Sequence, residues 1–199
     1  FQIRMMLGTP MADYRRDLGI ALKHNPKVAW VFAHRCPEHA ETVWALVASS
    51  PETDAEQTRE AELRLINIHE DFMMFTTPER MDAQSDYIYS WDKNRLLELT
   101  DFRGKTVLDV GSGSGRLAFA AAEQAAWVYA SEPVATLREY MRDKIHREGI
   151  PNVRVVDGMC DSLPYPDDTF DIVMSGHVVG DHPEEEIAEL SRVVKPGGW

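Results

Sequence analysis

Cysteine is scarce. Cys36 and Cys160 are the only two and lie 124 residues apart, which argues against a disulfide framework and makes a reducing, cytoplasmic setting the expectation. Positive charge is also short: Lys plus Arg number 21 against 33 Asp plus Glu, a net charge of −12 spread along the chain. Nucleic-acid binding needs a basic face, so neither a nucleic acid nor an anionic membrane surface is the expected partner. No apolar run approaches the roughly 18 residues of a membrane span. No secretory leader pattern opens the sequence, and it contains no internal repeat or low-complexity tract.

What is present is ordinary globular composition, 44% hydrophobic and 27% charged over 199 residues. A chain of this size buries about 70% of its unfolded surface without staples, and its length fits one domain with an appendage. It opens on Phe1 and closes on Gly197-Gly198-Trp199, so the expectation is a natural protein that runs on beyond residue 199, with further strands to complete its sheet.

The first part reads as helices. Thr9-Pro10 has the form of a helix start, followed by an apolar stripe of Met11, Tyr14, Leu18 and Leu22 that ends at Asn25-Pro26. Apolar runs follow at residues 28–33 and 40–48. Ser50-Pro51-Glu52 reads as a further cap and opens a long helical pattern with Leu65, Ile68, Phe72 and Phe75 on one face. His34, Cys36 and His39 have metal-ligand chemistry, but three ligands on one short segment read better as helix-end and turn residues. No metal is expected. Tyr87, Tyr89 and Trp91 read as packing aromatics ahead of a pocket lining.

From residue 105 the pattern alternates. Short β-rich runs stand at 105–110, 127–130, 153–156 and 170–174. Between the first two lies a helical stretch ending near Gln124. After the second, a helix led by Pro133 carries Val134, Leu137, Met141 and Ile145 until Gly149 and Pro151 stop it. A third helix opens at Pro183, with Ile187 and Leu190 expected inward and Asp181 as its cap. This order implies an α/β fold, a doubly wound and mostly parallel sheet with an N-terminal helical region. Residues 1–84 form the helical lid or cap region and residues 85–199 the α/β domain. Ligands in such sheets sit at the carboxyl ends of the strands, by the switch point.

The loop after the first strand reads Asp109-Val110-Gly111-Ser112-Gly113-Ser114-Gly115-Arg116. A dinucleotide fingerprint needs a third glycine where Arg116 stands, which disfavours a nicotinamide-dependent oxidoreductase and suits a ligand without a pyrophosphate. Glu132 ends the second strand, 17 residues after Gly115, where a carboxylate can accept both hydroxyls of a ribose.

These residues resemble the first motif and ribose-binding acid of class I S-adenosylmethionine-dependent methyltransferases. Residues 157–171 and 189–198 are similar to that family's later segments, so the resemblance covers about residues 85–199. It implies a Rossmann-like methyltransferase fold and S-adenosylmethionine as cofactor. It also implies methyl transfer by in-line displacement to a small-molecule acceptor, the alternative being a non-catalytic cofactor-binding regulatory domain. Carried over by position, Asp109, Gly111, Ser112, Gly113 and Gly115 would face the methionine part and Glu132 with Pro133 the ribose. Asp157, Gly158, Met159 and Cys160 would lie near the adenine, and Ser175 and Gly176 near the methyl. Met159 stands where many relatives carry an acid. His177 is the titratable candidate for a general base; shaping the pocket is its plainer role. Cys160 reads as packing, having no basic neighbour to lower its thiol pKa.

Overall fold

A computed structural model describes residues 2–69, 77–84, 90–180 and 182–199. The chain divides into two compact units, residues 1–73 and residues 74–199. The division falls ahead of the 84/85 boundary read from the sequence, so a helix at Pro78–Gln84 belongs with the second unit.

The first unit holds helices α1 (Gln2–Gly8), α2 (Ala12–His24), α3 (Pro26–Arg35), α4 (Ala40–Ser49) and α5 (Ala55–Ile68), with a 3₁₀ turn at Pro37–His39. Helix α2 packs against α4 and α5. Tyr14, Leu18, Leu22, Ala29, Val43 and Leu65 are buried together. Asp17 is buried on α2 and receives two bonds from Arg64 of α5, at 2.6 and 3.0 Å. That guanidinium holds the carboxyl below its ordinary range.

Several cap expectations are corrected here. Thr9 donates its hydroxyl to the Met5 carbonyl at 3.0 Å, finishing α1 rather than starting α2. Met11 is 57% exposed and outside the stripe. Helix α5 begins at Asp54, not at Ser50-Pro51: the Asp54 carboxylate accepts the Gln57 amide, and the Gln57 side chain accepts the Asp54 amide. This reciprocal capping box satisfies two donors that no helix can bond internally. Ile68 is 48% exposed, and Phe72 and Phe75 lie outside the described residues. His34 stacks on Trp30 with ring centroids 3.9 Å apart, and the buried Cys36 thiol donates to Glu38.

The second unit holds α6 (Pro78–Gln84), α7 (Asn94–Leu97), β1 (Thr106–Val110), α8 (Arg116–Ala122), β2 (Trp127–Ser131), α9 (Ala135–Glu148), β3 (Val153–Val156), β4 (Ile172–Ser175) and α10 (Pro183–Val193). The four strands are parallel in the order β3-β2-β1-β4. Strand β1 is covered on both faces, as its run Val107-Leu108-Asp109-Val110 requires. One face packs Val107, Val128, Ala130 and Ile172 against Ala118, Ala121 and Met141. The other packs Leu108 and Val110 against Leu163, Phe170 and Val193, with Tyr129, Tyr165 and Phe170 in edge-on contact.

Winding proceeds outward from β1 to β3, then crosses back so that β4 pairs with β1 at Val107↔Ile172 through Val110↔Ser175. The carboxyl ends of β1 and β4 therefore border the switch point. Strand β4 starts at Ile172 rather than Phe170, which forms an isolated bridge to Val194. Ile187, expected inward, is 54% exposed. The buried residue of that turn is Glu186, which accepts the Gly180 amide at 2.8 Å and the His182 amide at 3.3 Å. Asp181 lies outside the described residues.

Two expected outcomes follow for chemical denaturation. Asp54→Ala lowers stability by about 1 kcal/mol through the lost cap, with Gln57→Ala smaller. Leu22→Ala, which empties a core position, costs roughly 2–5 kcal/mol.

Candidate functional site

The turn between β1 and α8 is built on left-handed backbone: φ is 67° at Gly111, 59° at Gly113 and 94° at Gly115. Any other residue would be strained at these positions. A Cβ at Gly111 would also collide with Val178. The turn is tied to the exit of β2. The Ser131 carbonyl accepts the Gly111 amide at 2.8 Å and the Ser112 amide at 3.1 Å. The Glu132 carboxylate accepts the Gly113 amide at 2.9 Å and the Val134 amide at 2.8 Å. Glu132 is 4% exposed, and burial raises its pKa against the pull of those two amides. Each carboxylate oxygen uses one lone pair on these bonds and keeps another.

Asp109 is the second buried acid. It is the last residue but one of β1, is 1% exposed, and neither carboxylate oxygen has a hydrogen-bond partner. Burial pushes its carboxyl up to about 7, with Ala118, Ser112 and the Arg116 charge opposing and the Glu132 charge assisting. The Ser112 hydroxyl donates instead to the Asp109 carbonyl at 2.8 Å. An acid left unpaired in a central strand is costly to fold, and such groups gather at functional sites.

The remaining expected residues are spread over three strand ends. Pro133 is half-buried between Glu132 and Val134. Beyond β3, Asp157 is exposed and paired with Arg138 at 3.1 Å, while Arg138 also donates to the Glu132 carbonyl. Gly158 is buried, with no room for a Cβ between Ser131 and Pro164. Met159 is half-buried and pairs with Ser162. The Cys160 thiol faces the core beside Leu163, where burial raises its pKa to about 11; this is packing, not a nucleophile. At the end of β4 the Ser175 hydroxyl is buried without a hydrogen bond. His177 is exposed, with φ 62°.

Two neighbours of the loop were not legible from its motif. Met81 of α6 places its methyl 2.9 Å from where a Gly113 Cβ would stand, and it shares a buried cluster with Val134 and Leu137. Helix α6 is also bonded to α9, Tyr140 donating to Asp82 at 2.8 Å. Trp91, read as packing, lies under the Arg116 guanidinium, 4.7 Å from its ring centroid. Tyr87 and Tyr89 lie outside the described residues.

Asp109 makes the ligand-free protein pH-sensitive. Its folded pKa of about 7 exceeds the ordinary carboxyl value, so the folded state binds the extra proton. The Asp109 contribution to stability is fully present below about pH 4 and is lost, by roughly 2–4 kcal/mol, as pH rises to about 7, against the opposite contributions of the paired Asp17, Asp171 and Glu189, whose pKa values are lowered. Glu132 acts in the same direction. Asp109→Asn flattens this decline and stabilises the ligand-free protein at pH 8, as urea titrations across pH will read.

Residues 107–198 match the family model of the methyltransferase domain. The ubiquinone/menaquinone biosynthesis C-methyltransferase UbiE of Stutzerimonas stutzeri is 32% identical over 124 residues, 59% of this chain and 48% of that protein. The demethylmenaquinone methyltransferase of Geobacillus kaustophilus is 30% identical over 113 residues, 54% of this chain and 48% of that protein. The chain thus spans about half the length of the curated relatives it matches. Among solved structures, a SAM-dependent methyltransferase from Aquifex aeolicus superposes with a TM-score of 0.54 at 26% identity, over 60% of this chain and 68% of that one. Residues 107–198 of this chain are thus similar to the methyltransferase domain of S-adenosylmethionine-dependent enzymes.

Proposed function

We propose that the second unit holds S-adenosylmethionine along the glycine turn and that the protein transfers its methyl group to a small-molecule acceptor. The observation that carries this reading is the junction of the turn with Glu132. A buried carboxylate with two spare lone pairs stands beside the left-handed Gly111, Gly113 and Gly115, with the Met81 side chain lying over Gly113. The cofactor supplies a methyl group already activated by the sulfonium charge, so alignment matters more than acid–base assistance. Glu132 takes the ribose hydroxyls. Asp109, buried and unbonded, draws the ammonium of the methionine part toward the strand end. Pro133, Met159 and the backbone of Asp157, Gly158 and Cys160 border the adenine, and Ser175 and Gly176 the methyl. Met81, seated on Gly113, is the side chain that yields as the cofactor enters.

His177 stands at the exit of β4 in a left-handed conformation, which costs a non-glycine residue of order 1 kcal/mol or more. It serves as general base where the acceptor must lose a proton. Its replacement by Asn then lowers turnover by about 10²–10⁴ without weakening cofactor binding. The names of the relatives place them in ubiquinone and menaquinone biosynthesis, and this chain spans about half of their length, so the proposed acceptor class stays at a small molecule. Among the described residues no helix is long and apolar enough to cross a membrane. A reducing, cytoplasmic setting for the free Cys36 and Cys160 completes the reading.

The test is methyl transfer from labelled cofactor into a metabolite extract. Wild type yields a labelled product, and Glu132→Ala binds cofactor more weakly by at least tenfold or so and yields none at matched concentration. Tight binding with no product from any extract would leave a binding module and sink the transferase reading.

A further inference from the structure

Glu132 is held at every polar group it has. Its amide donates to the Val156 carbonyl at the end of β3, at 3.0 Å. Its carboxylate accepts the Gly113 and Val134 amides. Its own carbonyl accepts a bond from Nη1 of Arg138 at 2.8 Å. The first three partners are main-chain groups, which any sequence would supply. The fourth is a side chain, so it is the part of this grip that depends on residue type.

Arg138 is the fourth residue of α9, and its amide bonds back to the Val134 carbonyl at 3.1 Å. One residue is thus tied to both ends of the short segment between β2 and α9, by its main chain to Val134 and by its side chain to Glu132. That side chain is 13% exposed, and the same Nη1 reaches Asp157, just beyond β3, at 3.1 Å. Asp157 is itself 69% exposed on its side chain, and a pair with so open a carboxylate contributes little stability. Its effect is geometric: with Asp157 and the Glu132 carbonyl both bonded to it, the guanidinium bridges the exits of β2 and β3. Pro133 restricts the Glu132 backbone to an extended range, so fixing the carbonyl fixes the direction from which the carboxylate projects. The Arg138 charge also opposes the burial that raises the Glu132 carboxyl.

We infer that Arg138 is a positioning residue for ribose recognition. It holds the Glu132 main chain where the carboxylate can serve the Gly113 and Val134 amides with one lone pair on each oxygen and the ribose hydroxyls with the other. Arg138 acts through Glu132, and the Asp157 side chain acts through Arg138. Supporting groups of this kind decide how closely a binding contact is made. This inference rests on the cofactor reading given above.

The experiment is calorimetry on the full chain with two ligands: S-adenosylhomocysteine and its 2′,3′-dideoxy analogue, which lacks both ribose hydroxyls. Wild type binds the hydroxylated ligand tighter by on the order of ten- to a hundredfold, the range for hydrogen bonds to a charged group. Arg138→Met cuts that preference by about three- to tenfold, the scale of coupling within one hydrogen-bond network, while affinity for the dideoxy ligand stays within about twofold. Arg138→Lys can still donate to the Glu132 carbonyl and keeps most of the preference. Should the methionine variant fail to fold, Arg138→Gln, too short to reach both acceptors, is measured in its place with the same selective loss expected. An arginine that only stabilised the fold would weaken both ligands alike; that result, or no change in either, overturns the inference. Equal affinity of folded wild type for the two ligands, or no heat from either, overturns the cofactor reading itself, so the two failures are told apart.

Discussion

The second unit turns on how two consecutive residues at the exit of β2 use the amides of the glycine turn. Ser131 takes the Gly111 and Ser112 amides through its carbonyl, and Glu132 takes the Gly113 amide through its carboxylate. The Gly115 amide bonds within the turn, to the Ser112 carbonyl at 2.8 Å. Four of the five residues from 111 to 115 have therefore committed their N–H groups inside the protein. A helix N-terminus that cradles phosphate does so with free amides; this turn has spent them on fixing its own shape. The same bonds that make it a poor pyrophosphate site hold it in one shape.

That rigidity is extended to the neighbouring strand ends by charged groups working on backbone. Arg138 joins the Glu132 carbonyl to Asp157 beyond β3. Arg192 of α10 gathers Glu189, Asp167 and the carbonyls of Leu163 and Tyr165, pinning the segment that leads into β4. At the opposite end of the sheet the Asp171 carboxylate accepts the Thr106 amide at 2.8 Å and the Lys195 ammonium at 2.9 Å, which sets β4 in register beside β1. With register fixed, Val110 is flanked by Ser131 and Ser175, so the residues that follow the three strands stand side by side at one edge of the sheet. The folding cost of the unpaired Asp109 carboxylate is carried by this framework, which has no freedom to swing the acid into water.

Legibility followed the range of the interactions. The strands of the second unit were readable because a buried parallel sheet writes itself as continuous apolar runs, and an acid interrupting one of them, Asp109, is conspicuous. The glycine turn and Glu132 were readable because left-handed backbone and a carboxylate at a strand end each demand particular residue types. Cap signals were not, because a hydroxyl serves either neighbour: Thr9 bonds back to Met5 and Ser50 back to Leu46, closing the preceding helix in both cases, while the actual cap at Asp54 depended on its reciprocal partner Gln57. Ile187 and Glu186 exchanged expected places because the Glu186 carboxylate caps amides of the preceding loop, a gain that apolar periodicity cannot register. Met81 on Gly113 and Trp91 on Arg116 were hidden because each contact joins residues more than twenty positions apart and leaves no local pattern.

The exit of β4 obeys a different rule from the exit of β2. Ser131 and Glu132 bind backbone and leave the turn one shape. At the exit of β4 the Ser175 hydroxyl has no hydrogen bond, Gly176 is kept small by Leu117 and Arg116, and His177 adopts a left-handed conformation that an L residue reaches only at a cost. The chain accepts this strain at an exposed residue directly after the crowded Gly176. Rigidity at the exit of β2 and strain at the exit of β4 divide the strand ends into a half with one fixed shape and a half set by few residues. That division lets the β4 exit change while the amides held by Ser131 and Glu132 stay untouched.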